Sequence, residues 1–221
     1  MGIWGIVLIV MVASFLVQQM LDVNIRKYSK VGLNLSGAEV ARKMLSEHGI
    51  NDVEVTCIPG KLTDHFNPQT RTVNLSEAVY NGRNVAAAAV AAHECGHAVQ
   101  HSVGYAPLRL RSALVPVVNF SNSIVQWVLL LGVLMINTFP GVLWAGIVLF
   151  AMTTFFSVVT LPVEINASSR AVQWLDMTGI TDFETTPMAR TALKWAAYTY
   201  VIAALGSLAT LFYYIGIARR N

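Results

Sequence analysis

The chain has 221 residues, of which 55% are hydrophobic and only 12% charged, where a soluble domain averages about a quarter charged. That balance excludes an ordinary soluble domain and leaves room for several membrane spans beside one modest polar domain. The net charge of +3, with no basic residues interleaved with aromatics, argues against a nucleic-acid partner, and two cysteines, Cys57 and Cys95, make no disulfide framework.

Residues 3–21 carry no charge and are long enough to span a bilayer. The start Met1-Gly2-Ile3-Trp4 lacks a basic leader, and no small-x-small cleavage site follows, so a retained first helix is expected over 1–21 rather than a cleaved signal peptide. Arg26, Lys27 and Lys30 follow at once and put that end in the cytoplasm. A polar domain is expected over 22–112. Ser36-Gly37-Ala38-Glu39 reads as a capping box opening a helix that stops near Gly49. Residues 53–58 alternate and are rich in β-branched side chains, as in a strand. Residues 62–66 and 71–75 flank Asn67-Pro68-Gln69-Thr70 and read as a short hairpin. Ser76 is expected to cap a brief helix ending near Asn81-Gly82, and Asn84 to cap the next, over about 84–102.

Residues 112–163 contain no charge, too long a run for one span and right for two. With Asn137-Thr138-Phe139-Pro140-Gly141 as the turn, spans are expected at about 115–136 and 141–161 within 113–163. Asn119, Ser121, Asn122, Ser123 and Gln126 make the second span semi-polar, so that face is expected to meet protein. Residues 164–194 return to polar character and Thr186-Pro187 opens a helix. A fourth span at about 195–217 precedes Arg219 and Arg220 in the segment 195–221.

The 84–102 helix carries His93-Glu94-Cys95-Gly96-His97, an H-E-x-x-H. Residues four apart on a helix lie one above the other, so His93 and His97 can present two imidazoles to one ion. Glu94 sits about 100° round the helix, beside the ion without ligating it. Zinc accepts neutral His nitrogen in a tetrahedral site, and water held there loses its proton near neutral pH to a neighbouring carboxylate. The pattern points to hydrolysis of peptide bonds, with one Zn2+ per chain and Glu94 as general base. The fold class that follows is a mainly α integral membrane protein: about four transmembrane helices with a small α+β zincin-like cytosolic domain.

Two crossings separate residue 112 from residue 164, so the motif and Glu164 are expected on one side of the membrane. Thirteen of the fifteen Lys and Arg residues fall in 22–112 and 164–194, which makes that side cytoplasmic. Glu164 ends the uncharged run, and a carboxylate there needs a partner; an ion held with two His would be one. The alternative is a boundary Glu paired with Arg170. His101, His65, Asp64 and His48 compete for the third ligand position. His101 continues the four-residue spacing but has drifted about 80° from His93. His48 sits at a helix C-terminus, where His is ordinary. His65, just before the motif helix, is either a donor to the oxyanion of the tetrahedral intermediate or a turn residue bonded to Asp64. Tyr80 and Tyr105 are weaker candidates for that donor, and Cys95 is expected to pack.

Several stretches together resemble one family. They are Lys27-Tyr28-Ser29-Lys30, Ser36 to Ala41, Leu62-Thr63-Asp64-His65-Phe66-Asn67-Pro68, Val73 to Glu77, Ala92 to His101 and Leu161 to Ala171. In order and over nearly the whole chain, they resemble the YugP-like membrane zinc metallopeptidases of bacteria. The resemblance implies a cytosol-facing protease of the inner membrane with a gluzincin-like site, acting on a protein or peptide substrate at the lipid bilayer. More distantly the chain is similar to the HtpX-type proteases and CAAX prenyl endopeptidases. Those pair H-E-x-x-H with a later Glu that has Ala three residues on, as Glu164 and Ala167 do here, so the metal role carries over to Glu164. Their usual Asp after that Ala is Ser168, and no supporting role is expected of it. Two other readings remain: an intramembrane site-2-type protease, disfavoured because no Asp or Glu lies between Arg111 and Glu164, and a non-catalytic zinc-binding scaffold.

Overall fold

The computed structural model describes residues 2–220. In chain order the elements are α1 (Ile3–Tyr28), α2 (Gly37–Glu47), β1 (Glu54–Ile58), β2 (His65–Asn67), β3 (Thr72–Ser76), α3 (Glu77–Tyr80), α4 (Val85–Ser102), α5 (Ala106–Leu134), α6 (Pro140–Met177) and α7 (Thr186–Ala218). Four of them, α1, α5, α6 and α7, are long and apolar enough to cross a membrane. The protein is a mainly α membrane protein with a small α+β part.

A helix covers each stretch expected to span, but each helix outruns its apolar stretch. α1 continues to Tyr28, α5 begins at Ala106, and α7 begins at Thr186. Most consequentially, α6 does not stop where charge returns at Glu164 but runs to Met177. Hydropathy records which solvent a segment prefers; helical hydrogen bonding continues past that boundary whenever a face finds something to pack on. Ala167, Ala171, Trp174 and Leu175 supply that face beyond Glu164.

The contacts divide the chain into two compact units. The first takes the chain through Leu16, Arg109–Pro162 and everything from Thr199 onward. Its core is Val125, Leu129, Leu143 and Ile147, with Phe150, Leu211 and Tyr214 packed on them. Gly132 lets α5 and α6 approach closely: a Cβ there would stand 2.5 Å from the Leu143 Cα. The expectation that the semi-polar residues of α5 face protein is corrected. Only Ser121 is buried, while Asn119, Asn122, Ser123 and Gln126 are exposed. The buried stripe follows Val118, Ser121, Val125, Leu129 and Gly132, and the other four fall off that three-to-four spacing.

The second unit takes Val17–Leu108 and Val163–Tyr198. α2 opens as expected: the Glu39 amide donates to Ser36 Oγ (3.2 Å) and the Ser36 amide donates to Glu39 Oε2 (2.7 Å). The Ser36 amide, with the Ser36 hydroxyl and Arg83 beside it, lowers the Glu39 pKa below the usual carboxylate range. β2 and β3 form the antiparallel hairpin, with Phe66 opposite Val73. β1 pairs with β3 in parallel, Val55 beside Val73, so the sheet order is β1-β3-β2 and β2 lies at an edge. Ser76 precedes α3 by position only. Its hydroxyl makes no cap bond and instead donates to Asp64 (3.0 Å), whose carboxylate also accepts from the Ser76 amide (2.7 Å). Asn84 caps α4 as expected, accepting from the Ala87 amide at 2.9 Å. α4 is the centre of this unit. Its run of alanines is buried among Val40, Met44, Val73, Leu75, Ala171 and Leu175.

Candidate metal centre

α4 carries His93 and His97 one turn apart, and α6 brings Glu164 to them within the second unit. The rings stand edge to face with centroids 4.8 Å apart. Glu164 Oε2 lies 3.3 Å from His93 Nε2 and 3.6 Å from His97 Nε2. Charge-assisted N–H···O bonds close to about 2.7–2.9 Å, so these separations are long for direct ion pairs. They fit an ion: bonds of about 2.0–2.2 Å in a tetrahedron put ligand atoms about 3.4 Å apart. Glu164 is 3% exposed, and a carboxylate so buried is stabilised by positive charge, which an ion held with the two imidazoles would supply. Two imidazole nitrogens and one carboxylate oxygen are a donor set that zinc accepts. The three residues therefore fit the group.

One glycine permits this meeting of helices. A Cβ on Gly96 would stand 2.7 Å from the Ala167 carbonyl oxygen and 3.1 Å from its Cα. Gly96 lies between the two His on α4, and Ala167 follows Glu164 by one turn on α6. The backbones touch at the site because neither side chain intervenes.

Glu94 is 9% exposed. Its Oε2 accepts from the Phe66 amide at 3.1 Å, so the edge strand β2 holds the carboxylate in place. Ser168 corrects the expectation that it has no supporting role: its Oγ lies 3.1 Å from His93 Nδ1. His97 Nδ1 lies 3.1 Å from Gln100 Oε1. Both imidazoles thus have a partner on Nδ1 and turn Nε2 toward Glu164. Burial pulls the His97 pKa down, but its contact with Glu164 and the charge of Glu94 outweigh that and leave it above the ordinary value.

The other candidates fall elsewhere. His65 Nδ1 lies 2.8 Å from the Thr63 carbonyl oxygen, which can only accept, so Nδ1 carries the proton and Nε2 accepts from Asn74 Nδ2 at 3.2 Å. A neutral His65 so held has no N–H left for an oxyanion. The His101 ring packs edge-on against Phe66, centroids 5.8 Å apart. His48 Nδ1 bonds to the Met44 carbonyl oxygen at 2.8 Å. Asp64 is taken by Ser76, and the Tyr80 hydroxyl accepts from Arg42. Arg170, the expected alternative partner of Glu164, donates instead to Asn166 Oδ1 at 2.8 Å. Cys95 is buried with its thiol 3.5 Å from the Ala41 carbonyl oxygen, and burial pushes its pKa up, away from any ligand role.

The family model described as "Putative neutral zinc metallopeptidase" matches residues 3–219. The chain belongs to this family. It is also 43% identical over 206 residues to the protein described as "Putative membrane protease YugP" of Bacillus subtilis (strain 168), a match covering 92% of this chain and 91% of that protein. No solved structure matches the chain. The match to the zinc metallopeptidase family takes in α4 and the Glu164 turn of α6 alike, so both contributors to the candidate metal centre lie inside it. Ser168 had a signal in the sequence: it stands four residues after Glu164 and hence on the same face of α6. The Phe66 amide had none, because a backbone group in a hairpin carries no letter of its own.

Proposed function

We propose that the protein is a zinc-dependent endopeptidase that hydrolyses peptide bonds at the cytosolic face of the inner membrane. His93, His97 and Glu164 hold the ion and Glu94 is the general base. The observation that carries this is the meeting of two Nε2 atoms and one Oε2 atom within 4.8 Å of one another, the carboxylate oxygen 3.3 and 3.6 Å from the two nitrogens, with the buried Glu94 carboxylate beside His93 on α4. Closed structural zinc sites use four protein ligands, and the described residues offer three here, which leaves a position open as catalytic sites do.

A zinc ion held by these residues supplies Lewis acidity, which brings water to a nucleophilic state near neutral pH and polarises a carbonyl. The chain's own residues do the rest. Glu94 accepts the proton released from water and delivers it to the leaving amine. The Phe66 amide holds Oε2 of Glu94 and so orients this carboxylate. β2 is an edge strand passing directly beside this base, so an extended peptide pairing with that edge would bring its scissile bond to Glu94. The cytosolic orientation rests on the distribution of Lys and Arg.

The test is hydrolysis of quenched fluorescent peptides by the purified protein in detergent. Activity is expected to vanish on treatment with 1,10-phenanthroline and to return when zinc is resupplied. No hydrolysis of any unfolded protein or peptide by zinc-loaded protein would favour the scaffold reading. His65 serves as oxyanion donor only if its ring leaves the Thr63 carbonyl and frees the Nδ1 proton. That role predicts a kcat at least tenfold lower with KM unchanged for His65→Phe, whereas a purely structural role in the hairpin predicts unchanged kcat.

A further inference from the structure

Gln100 is wholly buried one turn after His97 on α4, and its amide makes three hydrogen bonds. Oε1 lies 3.1 Å from His97 Nδ1; Nε2 lies 2.8 Å from the Val163 carbonyl oxygen and 3.0 Å from Asn166 Oδ1. The way round of this amide is decided by its neighbours. The Val163 carbonyl can only accept, so the Gln100 nitrogen must face α6. Asn166 is fixed independently: its Oδ1 accepts from Arg170 Nε at 2.8 Å, and a guanidinium can only donate. The Gln100 oxygen therefore faces His97. It has no proton to give, so His97 Nδ1 carries one, and in the neutral imidazole that a metal takes the lone pair is on Nε2, the nitrogen turned toward Glu164.

We infer that Gln100 is a positioning residue of the metal centre: it sets the ligating tautomer of His97 and ties α4 to the turn of α6 that carries Glu164. The inference rests on the metal-site reading above. Val163 immediately precedes Glu164 and Asn166 follows two residues later, so both donated bonds clasp the backbone and side chain on either side of the carboxylate ligand. One side chain thus fixes two of the three ligands relative to one another. The chain of bonds runs from Arg170 through Asn166 and Gln100 to His97, and none of their buried side-chain nitrogen or oxygen atoms lacks a hydrogen-bond partner, the condition under which a buried polar network rigidifies a site. The alternative is a buried glutamine that merely fills space and satisfies its own amide. It makes no demand on the metal.

The two are separated by measuring zinc affinity of the full-length protein in detergent by competition with a chelator, together with the cobalt(II) absorption spectrum and thermal unfolding of the metal-free protein. Gln100→Met keeps the volume and loses all three bonds. Its zinc affinity is expected to fall about 10–100-fold, the usual cost of losing an outer partner of a ligand, with altered cobalt bands. Gln100→Glu keeps an acceptor for His97 and loses the clasp on α6, so its affinity is expected to lie between wild type and Gln100→Met, although a buried carboxylate makes it the less stable of the two. Affinities that follow stability instead, with the Met variant equal to wild type, would overturn the inference. Should Gln100→Met fail to fold, Asn166→Ala decides in its place: it is partly exposed, it unseats the Gln100 amide, and a several-fold loss of zinc affinity is expected where an unchanged affinity would overturn the inference. Wild-type protein that takes up no zinc would overturn the metal-site reading itself, an outcome distinct from failure of Gln100's part in it.

Discussion

Glu94→Gln is expected to retain its zinc and lose peptide hydrolysis, with kcat lowered about 10²–10⁴-fold, the usual contribution of a positioned general base. The substitution is nearly isosteric. Glutamine keeps an oxygen to accept from the Phe66 amide, now 3.1 Å from Glu94 Oε2, so β2 and α4 stay joined. It keeps no group that accepts a proton from water, and Glu94 is not among the three residues grouped so that they could hold an ion. The variant therefore separates proton transfer from metal binding. It is checked by metal analysis and by hydrolysis of the same peptides as wild type. Activity within a few-fold of wild type would remove Glu94 from the mechanism.

Gly96→Ala is the second large effect, and its sign is informative. On helix propensity alone, replacing an interior glycine by alanine would stabilise the protein by about 1 kcal/mol. The packing predicts the opposite. The added Cβ would meet the Ala167 carbonyl oxygen at 2.7 Å, and that oxygen belongs to backbone that cannot rotate away. α4 and α6 must separate between His97 and Glu164, at a cost of about 1–3 kcal/mol for overpacking. Zinc affinity is expected to fall at least tenfold, and the melting temperature to drop. A variant more stable than wild type with full zinc affinity would show that the helices do not meet as described.

Much of this was legible in the residues. The capping box at Ser36, the Asn84 cap, the hairpin over β2 and β3 and the motif on α4 follow from local chemistry that needs no partner. Glu164 stood out as a candidate because a charge ending a long apolar run demands compensation, with an ion and Arg170 both open as its partner. What escaped is what depends on neighbours. The parallel pairing of β1 with β3 is a choice among edges that no strand states alone. The Ser76 hydroxyl goes to Asp64 because that carboxylate arrives from the loop before β2, a contact across twelve residues. The end of the apolar run at Glu164 hid the continuation of α6, and with it the fact that Ser168, one turn on, reaches His93. The polar residues of α5 look like an interface by composition, yet their spacing places all but Ser121 off the buried stripe.

The central claim is that a ligand from α6 completes a metal site begun on α4. It is tested most directly by the zinc content of detergent-purified protein, wild type beside Glu164→Ala. About one zinc per wild-type chain is expected, as a single catalytic site holds, lost or much weakened in the variant. Equal zinc in both would move the third ligand away from α6 and contradict the account.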